Sequence, residues 1–287
     1  MSASPEIATL TLQHGSWRAE VFDPRPDPLA LGARYVHGCY VQQLWRGDRL
    51  LTTRPSRDWK PYNGEGLPEV FERPFTWDTA LDGEEYLRIG AGKLRRKGND
   101  WGPHGFQSAP LRWTVIQHNA RSLEMRCADT LQRGKQTFGY ELTRALYLHD
   151  AGLDSLTSLR LHVPWNQPLI WHTHPFFAQT DSGATGFTFP GQPQVSGPLA
   201  LRHDGFWHFT DSEGVASVLN LWGERGPIIC HLDPQLGGGR VGITLDRPLD
   251  HIVIYASPLA ASPEPYLAHC FKDGEETSWT ISYRWLD

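Results

Sequence analysis

The sequence predicts an all-β protein, a large antiparallel β-sandwich, and three observations carry that prediction. Apolar and polar residues alternate with a period of two in run after run, the pattern of strands with one buried face. Twenty-eight glycines and 22 prolines are spread along the 287 residues, which leaves little room for long amphipathic helices, because each interior proline costs a helix about 3 kcal/mol. No similarity recurs at a fixed period, so a sandwich of many strands with short turns is expected in place of a propeller or solenoid.

In chain order, the residues ahead of the Pro-rich segment Phe22-Asp23-Pro24-Arg25-Pro26-Asp27-Pro28 have the length of one or two strands and are expected to join the same sheet as the rest. Residues 1–287 therefore read as a single domain, a size that one sandwich commonly reaches. Alternation then marks strands at 111–117, 122–129, 140–149, 155–163, 215–222, 226–232, 241–245 and 250–257. Turn signals stand between them at His149-Asp150-Ala151-Gly152, Asp211-Ser212-Glu213-Gly214 and Gly237-Gly238-Gly239. The last strand is the clearest: Trp279, Ile281, Tyr283 and Trp285 alternate with Ser278, Thr280, Ser282 and Arg284.

Composition excludes several classes of function. A net charge of -5 with mixed signs has no basic footprint for nucleic acid, and Lys93-Leu94-Arg95-Arg96-Lys97 reads as a solvated loop. The N-terminus lacks the basic start and apolar run of a signal peptide, and no stretch approaches the roughly 20 apolar residues that cross a bilayer. A cytoplasmic protein with no membrane partner is expected. Cys39, Cys127, Cys230 and Cys270 lie far apart without a Cys-x-x-Cys pair, so they are expected as reduced, mostly buried thiols. No phosphate loop, dinucleotide fingerprint or nucleophile elbow is present, and no cofactor is expected.

Three short signatures carry the chemistry: Pro103-His104-Gly105-Phe106, His172-Thr173-His174-Pro175-Phe176-Phe177 and Glu264-Pro265-Tyr266. Histidines and a late glutamate are the residue types that an acid–base pair needs. In this order the motifs resemble those of the galactose mutarotase (aldose 1-epimerase) superfamily, which includes a hexose-6-phosphate mutarotase branch. The run Gly64-Glu65-Gly66-Leu67-Pro68-Glu69-Val70-Phe71 is similar to the loop that precedes the His-Gly motif in many members. The resemblance implies a twisted double-sheet supersandwich and an isomerase that interconverts the α and β anomers of a sugar. It implies His174 as general acid, Glu264 as general base and His104 as the ring-binding histidine. Thr173 stands where galactose mutarotases usually carry Asn, and no Arg follows His104-Gly105-Phe106 as in the sugar-phosphate branch. The sugar is therefore left unnamed.

Further residues are expected around the same substrate. His172 shares the side-chain direction of His174 on an extended segment. Trp171 is placed to stack on a sugar face. Arg34, in Gly32-Ala33-Arg34-Tyr35, can bond a hydroxyl or carboxylate; Glu69 is expected at the substrate, and Glu69 and Glu275 are the competitors of Glu264 for the role of base. The partner is a small-molecule sugar, bound by a monomer or homodimer. Two other readings remain open: a non-catalytic carbohydrate-binding protein on the same fold, and a cupin-like metal-dependent isomerase. The latter would use His172-x-His174 with a third ligand from His203, His208 or His231. The carboxylate such a site needs a few residues after His-x-His is missing, so no metal is expected.

Overall fold

Alternating residues settle into two large antiparallel sheets that share one apolar interior. The computed structural model describes residues 7–58, 60–98, 108–163, 166–180, 184–211, 213–219, 221, 224 and 226–286. One sheet has ten strands, in the order Leu199–Leu201, Trp207–Phe209, Gly186–Thr188, Ile228–His231, Arg240–Leu245, Glu276–Leu286, Gly152–His162, Gln136–His149, Ser122–Arg133 and Thr114–His118. The other runs Gln194–Ser196, Gly214–Leu219, His251–Ser257, Ala260–Phe271, Gln167–Thr173 and Glu69–Phe71, with Phe177–Ala178 also paired to Ala260–Phe271. Three 3-10 turns are the helical content among the described residues, and no helix there is long and apolar enough to cross a membrane.

Each run marked by alternation holds a strand, displaced by a few residues at the ends; 111–117, for example, pairs as Thr114–His118. One expectation is corrected. Thr9–His14 and Trp17–Phe22 do form ahead of the Pro-rich segment, but they belong to a separate four-stranded sheet with Val41–Arg46 and Arg49–Leu50. Gly15, at φ 56°, closes their hairpin, and the free edge of Trp17–Phe22 then pairs with the next strand in the chain.

A single large cluster fills the space between the two main sheets. Leu142, Leu146, Leu159, Trp279 and Ile281 come from the ten-stranded side, and Trp171, Val218, Ile252 and Ile254 from the other. Full burial of each such side chain stabilises the fold by about 1.5–3 kcal/mol. Trp171 stacks edge-on against Trp279 with ring centroids 5.4 Å apart. Thr173, two residues on and hence on the same face, bonds the Tyr283 hydroxyl at 2.6 Å.

Glu69 pairs with Thr173 in register and so faces the same interior. There its carboxylate meets the Arg144 guanidinium in a bidentate pair that includes an Nη2–Oε1 bond of 2.6 Å. Ser155 donates to Oε1 at 2.8 Å, and Thr157 and the Trp171 indole donate to Oε2 at 3.2 and 2.9 Å. The network pins the strand that begins the site to two strands of the opposite sheet. Glu69→Leu alone strands the guanidinium of Arg144, itself 2% exposed, and is expected to cost about 3–5 kcal/mol. Glu69→Leu combined with Arg144→Met should recover most of that loss in urea unfolding; purely additive losses would show that the two charges do not depend on each other.

Candidate active site

Side chains on one strand face alternate sides, so Trp171 and Thr173 turn inward while His172 and His174 turn to the outer face of the second sheet. On the neighbouring strand Ala260–Phe271 the same face carries Ser262, Glu264 and Tyr266; on His251–Ser257 it carries His251, Val253 and Tyr255. The register brings them together: His172 lies opposite Tyr266, and Tyr266 opposite His251. A lid of chain covers this face, with Phe22, Leu31, Tyr35 and Tyr40 packed on Val70.

Pro263 and Pro265 shape the site. Ladder pairing between Ala260–Phe271 and Gln167–Thr173 runs from Phe271 to Tyr266 and stops, and pairing with Phe177–Ala178 covers only Ala260 and Ala261. Over 262–265 the strand is hydrogen-bonded to His251–Ser257 alone, so prolines fit where an N–H is not needed on the other side. His174 enters that gap. Its backbone N–H donates to Pro68 O at 2.8 Å, and that of Phe176 to Gly66 O at 2.8 Å. Gly66 is required there, because at φ 71° a Cβ would fall 2.1 Å from the Val41 carbonyl.

His174 Nε2 stands 3.2 Å from Glu264 Oε1, and His172 Nε2 3.8 Å from Glu264 Oε2. All three are buried, at 6%, 2% and 4% exposure. Burial raises the Glu264 carboxyl from its ordinary 4.5 to about 8, against the lowering influence of Arg34 and of hydrogen bonds from Ser262 and Tyr266. Burial, followed by the positive charge of Arg34, holds His172 and His174 well below 6.5. Both shifts keep charge off the pair: the carboxyl holds its proton to higher pH, and the imidazoles give theirs up at lower pH. Ser262 Oγ lies 2.7 Å from His174 Nδ1. One polarity fits both contacts of the ring: Nδ1–H donates to Ser262, and Nε2 accepts from Glu264. The His174 ring is held by Phe176 in a stack at 4.4 Å and by Tyr255 edge-on at 5.7 Å.

The structure brings His172, His174, Glu264 and the charge of Arg34 to one place. Arg34 is half-buried beside Tyr35, its guanidinium 5.2 Å from the ring centroid, and its carbonyl accepts from buried Arg88. Trp171 and Glu69 are corrections: both face the interior between the sheets, where their polar atoms are spent on each other and on Arg144, Ser155 and Thr157. Glu275 bonds His269 in an exposed turn, away from the cluster. His104 lies outside the described residues. His208 and His231, offered as third metal ligands, belong to the ten-stranded sheet, where His208 pairs with Asp204 at 3.0 Å. Of the thiols, Cys39, Cys127 and Cys230 are buried and Cys270 is exposed.

Ser262, Tyr266, Tyr255 and Glu72 escaped sequence reasoning. Glu72 Oε2 lies 3.7 Å from His172 Nδ1. The signal for Ser262 and Tyr266 was present as two-residue spacing on either side of Glu264, hidden because a Pro-Glu-Pro run reads as a loop.

A stability measurement checks the electrostatics. The folded state keeps a proton on Glu264 that the unfolded chain releases, so the stability contributed by this group is present below pH 4.5 and lost as pH rises through about 8. His172 and His174, depressed from 6.5, are neutral in both states above that value. Between pH 6.5 and 8, the native chain should therefore lose stability relative to Glu264→Gln by up to about 1.4 kcal/mol per pH unit. Parallel curves for the two proteins would mean that Glu264 is ionised throughout.

No family model matches the sequence, and no curated protein matches it. Solved structures do match over nearly the whole chain. A candidate aldose 1-epimerase from Escherichia coli K12 superposes with a TM-score of 0.62 at 17% identity, covering 98% of this chain and 100% of that one. A galactose mutarotase-like protein from Lactobacillus casei gives 0.59 at 13% identity, over 97% and 100%. A galactose mutarotase related enzyme from Lactobacillus acidophilus gives 0.60 at 12% identity, over 96% and 97%. At such identities the likeness concerns the backbone, and its conclusion is that this chain has the galactose mutarotase-like fold.

Proposed function

We propose that the chain is an isomerase of aldose 1-epimerase type, a single domain that interconverts the anomers of a sugar through His174 and Glu264. The observation that carries this reading is their 3.2 Å contact, buried on the outer face of a mutarotase-like sheet. Mutarotation requires a proton delivered to the ring oxygen while another leaves the anomeric hydroxyl; the ring then opens, C1 rotates, and the ring closes on its other face. Such a reaction consumes no net proton, so a pair with one proton in hand is the right equipment.

Before a sugar binds, that proton rests on Glu264, because burial disfavours both charges. Sugar hydroxyls that hydrogen-bond the carboxylate stabilise its charged form, and the proton crosses to His174 Nε2. Glu264 then takes the anomeric proton as base and His174 protonates the ring oxygen as acid. His172 Nδ1 has no hydrogen-bond partner among the described residues while 2% exposed, an arrangement that suits a ligand hydroxyl. Arg34 and, on the motif match, His104 complete the sugar contacts.

Exchange NMR or polarimetry on neutral, acidic, sulfonated and phosphorylated sugars, against the spontaneous rate, tests the proposal. His174→Asn and Glu264→Gln should each remove on the order of 10²–10⁴ in rate. Their combination should be little worse than either alone, since both act on one transition state. Activity should fall above pH 8 as Glu264 loses the shared proton. Acceleration that survives Glu264→Gln would overturn the assignment of the base; tight sugar binding with no acceleration by the native chain would favour the non-catalytic carbohydrate-binding reading.

A further inference from the structure

A side chain as buried as Arg88, at 2% exposure, carries a desolvation cost that only well-formed hydrogen bonds offset. Arg88 ends the strand Glu85–Arg88, which lies between two segments that flank His172. On one side Leu87 N–H donates to Phe75 O at 3.1 Å; on the other, Gly90 O in the turn after Arg88 accepts from His37 N–H at 3.0 Å. A Cβ on Gly90 would fall 2.7 Å from Val36 Cγ1, so the covering segment passes close against this turn. From there the planar guanidinium reaches both segments: Nη1 donates to Glu72 O at 3.1 Å and Nη2 to Arg34 O at 3.2 Å.

The Glu72 backbone is thereby held at both of its polar groups, since its N–H donates to Ile170 O at 2.8 Å. Its side chain shares a face with Val70, the residue opposite His172, and its Oε2 stops 3.7 Å from His172 Nδ1. That is too long for a hydrogen bond. His172 Nδ1 is buried without a hydrogen-bond partner among the described residues, while the Glu72 side chain is 39% exposed. A hydroxyl group is the chemistry that suits both, because it donates to the carboxylate and accepts from the ring N–H.

We propose that Glu72 and His172 Nδ1 form a subsite for a sugar hydroxyl, and that Arg88 is the positioning residue that sets its width. The subsite rests on the proposed function; the clamp by Arg88 does not. An anionic substituent is disfavoured at this place, since it has no proton for Glu72 and adds a like charge.

Exchange NMR on monodeoxy-D-glucoses and monodeoxy-D-galactoses, each against its parent sugar, tests the subsite. One monodeoxy form should raise KM of the native chain about tenfold with little change in kcat. That penalty should vanish in Glu72→Ala, and equally in Arg88→Met and in Arg88→Lys, which keeps the charge but not the planar pair of donors. A merely structural role for Arg88 would lower the folded fraction and leave the discrimination intact. A penalty that persists in Glu72→Ala or in folded Arg88→Lys would overturn the proposal. The clamp is read in the native protein without sugar, from Nη–H resonances assigned with Arg88→Lys: separate, slowly exchanging signals are expected, and one averaged, fast-exchanging signal would overturn it. Separate signals with no sugar accelerated by the native chain would overturn the proposed function and leave the clamp standing.

Discussion

Proline cannot donate a backbone hydrogen bond, and two prolines around one glutamate decide the form of this site. Pro263 and Pro265 sit in a strand interior, where a proline is ordinarily excluded, and they are accommodated because pairing with the neighbouring strand ends at His172 and the next pairing begins only at Ala261. The ladder thus has a gap of a few residues with Glu264 in its middle. His174 occupies the gap with its ring and satisfies its own N–H on the opposite side, at Pro68. What looks like a defect in a sheet is a slot in which an imidazole and a carboxyl meet edge to edge.

Parity along two strands then divides structure from chemistry. On 167–173 and its continuation, residues 171 and 173 are committed to the interior, whereas 172 and 174 face the slot. Glu69 and Glu264 show the same division between two buried carboxyls. Glu69 is surrounded by a guanidinium, two hydroxyls and an indole N–H, which makes it a tie between sheets. Glu264 has two imidazoles beside it and the hydroxyls of Ser262 and Tyr266 on the same face of its strand, with Arg34 acting on it from the covering segment. That environment is too poor in positive charge to keep its proton off, and a carboxyl poised near neutrality is suited to moving one.

Much of the fold was legible because half-buried strands write their period into the sequence; 278–285 is the plainest case and lies within Glu276–Leu286. The strand 260–271 was not legible, since its two prolines and the small residues Ala260, Ala261 and Ser262 erase the alternation. Tyr266 and Ser262 were hidden with it. His172, His174 and Glu264 were recognisable from the order of their motifs, but Trp171 was misassigned because adjacency in sequence puts a neighbour on the wrong face of a strand, and Glu69 because its register opposite Thr173, which turns it inward, is not written in its own sequence. The separate four-stranded sheet was also unreadable, because nothing in the alternation of 9–22 says which edge the hairpin will meet.

The account stands on a single proton shared between two buried groups, located by burial on Glu264 and leaving His174 neutral with its hydrogen on Nδ1. Nitrogen-15 NMR of the His174 imidazole in the protein without sugar measures this directly. Distinct Nδ1 and Nε2 resonances of a neutral Nδ1–H ring, unchanged from pH 6.5 to pH 8, are the predicted result. An imidazolium at pH 7 would contradict it, and would mean that the pair is already charged before a sugar binds.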